Sequence, residues 1–218
     1  MFCAVSFIIE IMEDSMMISA VEPQKKKKDR YNIYADGEYV ASLGAEAIVT
    51  YGLRVGAQIQ AITLREAVEK DNAAYALDCT AAILAHGMRT RAELARKLKE
   101  RGIDEAAAEA ALNKLASYGY VNDAAYAAEY VRSMMDTGRM GRKAVEYKLR
   151  EKGLAREALD EAMEAYTEED EREIAKRQLA KLAGGLDPRE QRRRLSAVLI
   201  RHGFSYDIIS SLFSEDED

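Results

Sequence analysis

The 218-residue chain reads as a mainly α-helical protein: three tandem three-helix repeats in an elongated array, behind a small N-terminal module that contains a β-hairpin. Three observations predict this. A pattern of apolar residues and glycine occurs three times at a nearly constant offset. Helix breakers are scarce, with 13 Gly and 2 Pro, while Ala, Glu, Lys, Arg and Leu abound. The clearest β-forming runs flank an Asp-Gly pair ahead of the repeats.

The repeat is the informative element. Leu94, Leu98, Gly102 and Ile103 recur as Val145, Leu149, Gly153 and Leu154, and again as Leu195, Leu199, Gly203 and Phe204, at offsets of 51 and 50 residues. Ala74-Tyr75-Ala76 returns as Ala125-Tyr126-Ala127 at the same offset of 51. Two apolar residues four apart sit one above the other on a helix face. The glycine four residues later supplies the left-handed conformation that ends a helix, and the apolar residue after it turns back to the core. Asp104 and Ser205 then cap a third helix, while Ala155 leaves the second copy without that cap. Leu112, Met163 and Phe213 fall at equivalent positions of the third helix, expected on its buried face. The middle helices begin well in two copies: Thr90 to Glu93 is a capping box, and Asp187-Pro188-Arg-Glu190 orders an N-cap, an N1 proline and an N3 glutamate. Leu98, Leu149 and Leu199 are therefore expected to be equivalent core residues.

The expected divisions are a leader over 1–20, a β-hairpin module over 21–70, repeats over 71–120, 121–166 and 167–213, and an acidic tail over 214–218. The leader is apolar but too short to span a bilayer and lacks a signal peptide's basic start; a chain beginning at Met17 is expected to fold and act like the whole. Lys25 to Lys28 reads as a solvated linker or as a phosphate-contacting arm. Tyr31 to Tyr34 and Glu38 to Ser42, joined by Asp36-Gly37, make the hairpin. Ala45 to Tyr51 reads as a short helix closed at Gly52. Val55 to Leu64 reads either as another extended piece or as the lead into the next helix.

Composition narrows function. A net charge of −6 argues against a protein that coats nucleic acid through overall charge. Two cysteines, Cys3 and Cys79, offer no disulfide framework, and two histidines, His86 and His202, no metal cluster. No cofactor is expected, and a reducing cytoplasm is the simple location. Gly184-Gly185 is not followed by the Lys-Ser/Thr of a phosphate loop. His86 and His202 sit at helix ends, where a cation is favourable. Glu168 to Glu171 reads as the acidic first turn of a helix rather than a metal site. The repeat tyrosines Tyr75, Tyr118, Tyr120, Tyr126, Tyr130, Tyr147 and Tyr166 read as half-buried packing residues, with stacking of single-stranded bases as the functional alternative.

The basic residues of the middle helices are more telling. Arg91, Arg142 and Arg192 stand three residues before the first apolar position in every copy. In the first two copies this is the first turn, where a cation opposes the helix dipole. Something must therefore favour it. Lys99, Lys143, Arg150 and Arg193 extend the set, which reads as a solvated face or as a stripe meeting an acidic partner. On the second reading, Arg142→Glu with Arg150→Glu weakens partner binding and leaves the fold intact.

The repeats resemble the RecX family, bacterial regulators of the RecA recombinase. The resemblance rests on Tyr75-Ala-Leu77, Glu93-Leu94 with Leu98 and Gly102, Leu115 with Gly119-Tyr-Val-Asn-Asp123 leading into Tyr126-Ala127, and Gly141 with Val145, Leu149 and Gly153-Leu154. Asp36-Gly-Glu-Tyr39 and Tyr51-Gly-Leu-Arg-Val-Gly56 are similar to the N-terminal extension of Gram-positive members. The residues offer no catalytic constellation, so the chain is not expected to be an enzyme; it is expected to be a monomer and to stay off the membrane. The resemblance implies binding in the groove of the RecA–single-stranded DNA filament and modulation of its ATP hydrolysis and strand exchange, inhibition being favoured over stimulation, hence a role in recombination and DNA repair. The competing expectation is a helical module that binds single- or double-stranded DNA directly.

Overall fold

The computed structural model describes residues 15–25, 29–182 and 188–214. The expectations for residues 1–14, Lys26 to Lys28, the cap at Asp187 and the tail 215–218 lie outside these. The described residues form two compact units, one holding those up to His86 together with Ala95–Ser117, the other Gly87–Leu94 together with those from Tyr118 onward.

The first unit opens with an antiparallel sheet of four strands, β1 (Ser15–Pro23), β2 (Arg30–Ala35), β3 (Glu38–Gly44) and β4 (Gln58–Gln60), in the order β3-β2-β1-β4. The hairpin is β2–β3. Asp36 and Gly37, at φ +48° and +88°, form a two-residue turn whose twist matches the strands it joins. Strand β1 corrects the expected leader over 1–20. Its residues alternate, Met16 and Ile18 buried and Met17 exposed, which is the period of a half-buried strand. Met16 pairs with Ile59 of β4, so a chain beginning at Met17 loses a core residue. A short apolar run carries the same letters whether it is a leader or a strand, and only its partners β2 and β4 decide.

Helix α1 (Ala45–Thr50) follows β3, and β4 then runs directly into α2 (Ala61–Leu84). Both readings of Val55 to Leu64 thus hold over three-residue β4 and the start of α2, and the first helix of the first copy begins ten residues ahead of the expected boundary at 71. The extra turns place Leu64 and Ala67 against the sheet residues Ile18, Ile33, Val40 and Leu43. Farther along, α2 packs on α4 (Glu105–Ser117) through small residues, Ala76 on one side and Ala107, Ala108 and Ala111 on the other, with Leu112 fully buried. Between them in sequence comes α3 (Arg91–Glu100), whose residues Arg91–Leu94 belong to the second unit and the rest to the first.

The second unit contains α5 (Asp123–Thr137), α6 (Arg142–Glu151), α7 (Arg156–Glu164), α8 (Glu168–Leu182), α9 (Pro188–Arg201) and α10 (Tyr206–Ser214). One apolar core gathers Ala127, Val131, Val145, Leu149, Met163, Tyr166, Ile174, Leu199, Phe204 and Ile208. Leu98, Leu149 and Leu199 are each fully buried, as the repeat alignment expects. Phe213 is only half-buried and Leu212 takes the interior position beside it.

The three middle helices end identically. Gly102, Gly153 and Gly203 have φ of +78°, +76° and +83°. Each glycine amide donates to the carbonyl three residues back, and the apolar residue after it donates to the carbonyl of Leu98, Leu149 or Leu199. This paired closure satisfies carbonyls that a helix end would leave open. The caps also form as read: Asp104 Oδ1 accepts from the Ala107 amide at 2.9 Å, Ser205 Oγ from the Ile208 amide at 3.4 Å, and Ala155 makes no side-chain cap. In the capping box the Glu93 amide donates to Thr90 Oγ1 at 3.1 Å and the Thr90 amide to Glu93 Oε2 at 3.2 Å.

Inside the second unit, each Gly turn receives the start of the preceding middle helix. The Thr90 hydroxyl donates to the Lys152 carbonyl at 2.7 Å. One copy later the Gly141 amide donates to the His202 carbonyl at 2.9 Å and the Lys143 amide to that of Gly203 at 3.1 Å. Helix-start amides and helix-end carbonyls thereby satisfy one another. A Cβ on Gly141 would overlap the Phe204 amide and the Gly203 carbonyl group. Gly141 has φ −75°, which any residue adopts, so its smallness serves the close approach alone. Serine is the better N-cap, yet Gly141→Ser is expected to lower stability by about 1–3 kcal/mol, the usual cost of forcing atoms into a packed contact. A urea denaturation midpoint unchanged or raised in that variant would contradict the junction.

Candidate partner-binding surface

Each middle helix buries the residues at i and i+4, which leaves its remaining faces for charge. In α6, Val145 and Leu149 are fully buried while Lys143, Tyr147 and Arg150 are exposed. In α9, Leu195 and Leu199 are buried while Arg192 and Arg193 are exposed. In α3, Leu94 and Leu98 are buried, Lys99 is exposed and Arg91 half-buried. Two equivalences follow from the repeat: Lys99 matches Arg150, and Lys143 matches Arg193. All four cations face solvent. Arg150 has a loose ion pair with Glu146 at 3.7 Å, worth little at an exposed site.

Arg91, Arg142 and Arg192 are not alike despite their register. The Arg192 guanidinium lies over the Phe213 ring, 5.3 Å from its centroid. Arg142 turns inward: its guanidinium donates to the Met163 carbonyl at 3.0 Å and to the Tyr166 carbonyl, and its Nε lies 3.5 Å from Glu146. It therefore closes the C-terminal end of α7, where a cation is favoured. This supplies the compensation that its place in the first turn of α6 demanded, and it corrects the expectation that Arg142→Glu leaves the fold intact. The amides of the two first turns are offset as well. Arg91 N–H donates to Asp123 Oδ1 at 2.8 Å and Arg142 N–H to Glu171 Oε1 at 3.1 Å.

Glu171 belongs to the acidic first turn of α8. Thr167 and Asp170 form the cap there, the Asp170 amide donating to Thr167 Oγ1 at 3.1 Å and the Thr167 amide to Asp170 Oδ2 at 3.0 Å. Glu171 instead points inward, only 3% exposed, and its Oε1 also accepts from the Ser205 amide at 3.1 Å. Burial pushes its carboxyl above the usual carboxylate range, against the pull of those two amides and of the Arg142 and Lys143 charges. Among the described residues no three His, Cys, Asp or Glu side chains converge as a metal site.

The tyrosines divide. Tyr166 is fully buried and its hydroxyl donates to the Met140 carbonyl at 2.8 Å; burial and the Glu171 charge push its pKa up. Tyr118, Tyr120 and Tyr147 are 65%, 68% and 59% exposed, so the half-buried reading fails for them. Tyr126 and Tyr130 stack with centroids 6.3 Å apart at 15°, and the Lys152 ammonium lies 5.3 Å from the Tyr126 centroid. Lys152 also pairs with Glu93 Oε1 at 2.8 Å. Burial raises the Glu93 carboxyl, but Lys152, the Thr90 amide and Arg89 outweigh it and hold the group net below its ordinary value. This cluster escaped the sequence reading, although Tyr75 with Arg101 and Tyr126 with Lys152 share the offset of 51. The other missed feature is a buried group in the first unit. Arg30 Nη2 lies 3.0 Å from Asp71 Oδ2, donates to the Ser42 carbonyl at 2.6 Å, and the guanidinium stacks 4.4 Å from the Tyr75 centroid.

Comparison with known proteins places this architecture. The regulatory protein RecX N-terminal domain matches residues 16–60, and the first, second and third three-helix domains of RecX match 76–115, 122–163 and 168–213. A regulatory protein RecX of Clostridium acetobutylicum is 30% identical over 91% of this chain and 97% of its own length. The chain belongs to the RecX family. A RecX of Limosilactobacillus reuteri is 32% identical over 91% of this chain and 76% of its own. A crystal structure of regulatory protein RecX superposes with a TM-score of 0.64 at 31% identity, covering 89% of this chain and 97% of that one. A crystal structure of RecX from Lactobacillus salivarius gives 0.62 at 30% identity, covering 67% and 97%. A regulatory role follows from the family. No described helix is long and apolar enough to cross a membrane.

The raised carboxyl of Glu171 makes stability depend on pH in a definite sense. The folded protein binds this proton more tightly than the unfolded chain, whose carboxyl titrates near 4.5, so this group's contribution to stability is fully present below that value and is lost as pH rises through the folded pKa. Glu171→Gln keeps the Oε1 acceptor for both amides and removes the titration. Urea midpoints taken from about pH 4.5 upward to neutrality should show the variant gaining on the wild type. A constant gap, or one that moves the other way, would contradict the assignment.

Proposed function

We propose that this protein binds the RecA–single-stranded DNA filament and inhibits its ATP hydrolysis and strand exchange, and so regulates recombination and DNA repair. Membership of the RecX family supports the regulatory half of this reading. The observation that carries the binding half is the pair of equivalences on the middle helices: Lys99 with Arg150 and Lys143 with Arg193, all exposed and set at the repeat spacing. Cations at a regular interval suit an extended partner that is itself periodic. Each contact contributes modestly while the set binds well. Arg192 adds to the third copy, whereas Arg91 and Arg142 are held partly by their own fold.

Direct binding to DNA is the second reading. It is favoured by the exposed Tyr147, the Tyr126–Tyr130 stack and the flanking Lys148 and Lys152, a combination of rings and cations suited to unstacked bases. The two readings differ in what they need. Bare DNA binding falls steeply with salt and persists without RecA.

RecA ATP hydrolysis on single-stranded DNA, titrated with wild type and with Lys143→Glu/Arg193→Glu, tests the proposal. The double variant should require about ten-fold more protein for the same inhibition, with an unchanged circular dichroism spectrum, since exposed charge changes alter stability by about 0.5 kcal/mol or less. Equal titrations for two folded proteins would remove these residues from the interface. A salt-steep gel shift of DNA without RecA, lost in the same variant, would favour the second reading.

A further inference from the structure

In the second unit a groove of about 420 Å³ lies where α6 turns into α7, lined by Arg150, Leu154, Arg156 and Leu159. Leu154 and Leu159 are core residues whose remaining surface gives the groove an apolar floor. Arg150 and Arg156 are exposed and form its rim. Each guanidinium has an acidic neighbour on its own helix, Glu146 at 3.7 Å and Asp160 at 3.4 Å. Such pairs contribute little at exposed sites, and Glu146 keeps Arg142 at 3.5 Å when Arg150 leaves it. Both guanidinium groups can therefore exchange these neighbours for a ligand carboxylate, to which an arginine offers two parallel hydrogen bonds. The repeat shows what kind of ligand such a groove reads. Its floor is apolar in every copy, with Ile103 and Ala108 in the first and Phe204 and Ile209 in the third, all buried. Its rim changes. The places of Arg150 and Arg156 hold Lys99 and Glu105 one copy earlier, and Ile200 and Tyr206 one copy later. Ile200 and Tyr206 are 53% and 70% exposed, so the third copy presents an apolar pair to solvent where the second presents two cations.

We propose that this groove docks a segment of a partner protein in which acidic residues flank an aliphatic side chain, the carboxylates on Arg150 and Arg156 and the aliphatic group on Leu154 and Leu159. A nucleic acid suits the rim less well. Its backbone carries the same negative charge at every step, so a face that tracks it keeps cations at equivalent places. Here one place runs Lys99, Arg150, Ile200 along the copies, and the other Glu105, Arg156, Tyr206. Glu105 repels a phosphate, and Ile200 offers it no hydrogen bond. A protein surface differs residue by residue, and a rim that changes in sign and polarity from copy to copy matches such a surface. The floor points the same way. A phosphate has no apolar part to set on two leucines, whereas an aliphatic side chain takes their remaining surface out of water. A polar rim around an apolar contact is the usual build of a protein interface. This inference rests on the filament reading for the choice of face, since Arg150 belongs to both, and it assigns that face to the protein of the filament rather than to its DNA.

The test uses the full chain, labelled with nitrogen-15, and no RecA. The probe is a blocked peptide with Glu-Leu-Glu at its centre; one control carries Gln-Leu-Gln there and the other Glu-Ser-Glu. The Glu-Leu-Glu peptide should shift the Leu154 and Leu159 amide signals. Binding should weaken about ten-fold for Gln-Leu-Gln, which loses the charged hydrogen bonds, and about ten-fold for Glu-Ser-Glu, which loses the apolar contact. Arg150→Ala with Arg156→Ala should lose the response and keep the rest of the spectrum. Unmoved Leu154 and Leu159 signals with the peptide at roughly 5 mM, or an equal response to either control, would overturn the proposal. So would an oligothymidylate that moves these signals where the peptide does not, since the groove would then read nucleic acid. With RecA absent, failure here strikes the groove alone; failure of the filament reading shows separately, in the RecA titration of Lys143→Glu/Arg193→Glu.

Discussion

The seating of a helix start on the Gly turn of the next copy is the contact on which the second unit depends. It joins two sets of backbone groups that helices leave unpaired, the first amides and the last carbonyls. At Gly141 the amide itself reaches the His202 carbonyl, and the approach leaves no room for a side chain. At Thr90 a side-chain hydroxyl bridges the same kind of gap, and the junction is strengthened by Glu93 against Lys152. The two junctions do one job with different atoms. Because each contact joins neighbouring copies, stability in this part of the chain is shared along the repeat, as in other tandem arrays.

The junction also explains which charges are available to a partner. A cation in the first turn of a helix is disfavoured by the dipole unless another group needs it. Arg142 meets such a need at the carbonyls of Met163 and Tyr166, so its recurrence with Arg91 and Arg192 reflects folding in that copy rather than recognition. Lys143 is different. Its backbone takes part in the junction while its side chain faces solvent, a place fixed by the fold and free for recognition.

The parts of the fold legible in the sequence are those set by local chemistry. Glycines at φ of +76° to +83°, the Thr90–Glu93 box and the Asp36-Gly37 turn each declare themselves within a few residues. What stayed hidden depends on contacts far along the chain. Strand β1 is defined by its partners β2 and β4, and α2 begins early because Leu64 and Ala67 have a sheet to cover. Glu171 looked like one of four equivalent acidic residues, and only the amides of Arg142 and Ser205 single it out. The candidate surface was legible in part. Exposed cations could be named, but the sequence letters do not separate Arg142, which bonds inward, from Arg150, which does not.

Hydrogen exchange at single amides tests the junction most directly. The first amides of a helix have no partner within it and exchange quickly in water. Gly141 and Lys143 occupy such places at the start of α6, yet their amides donate to the His202 and Gly203 carbonyls at 2.9 and 3.1 Å. The account predicts that both exchange as slowly as the interior of α6, near Leu149. Exchange of Gly141 and Lys143 at the rate of an exposed helix start, beside a protected Leu149, would contradict it.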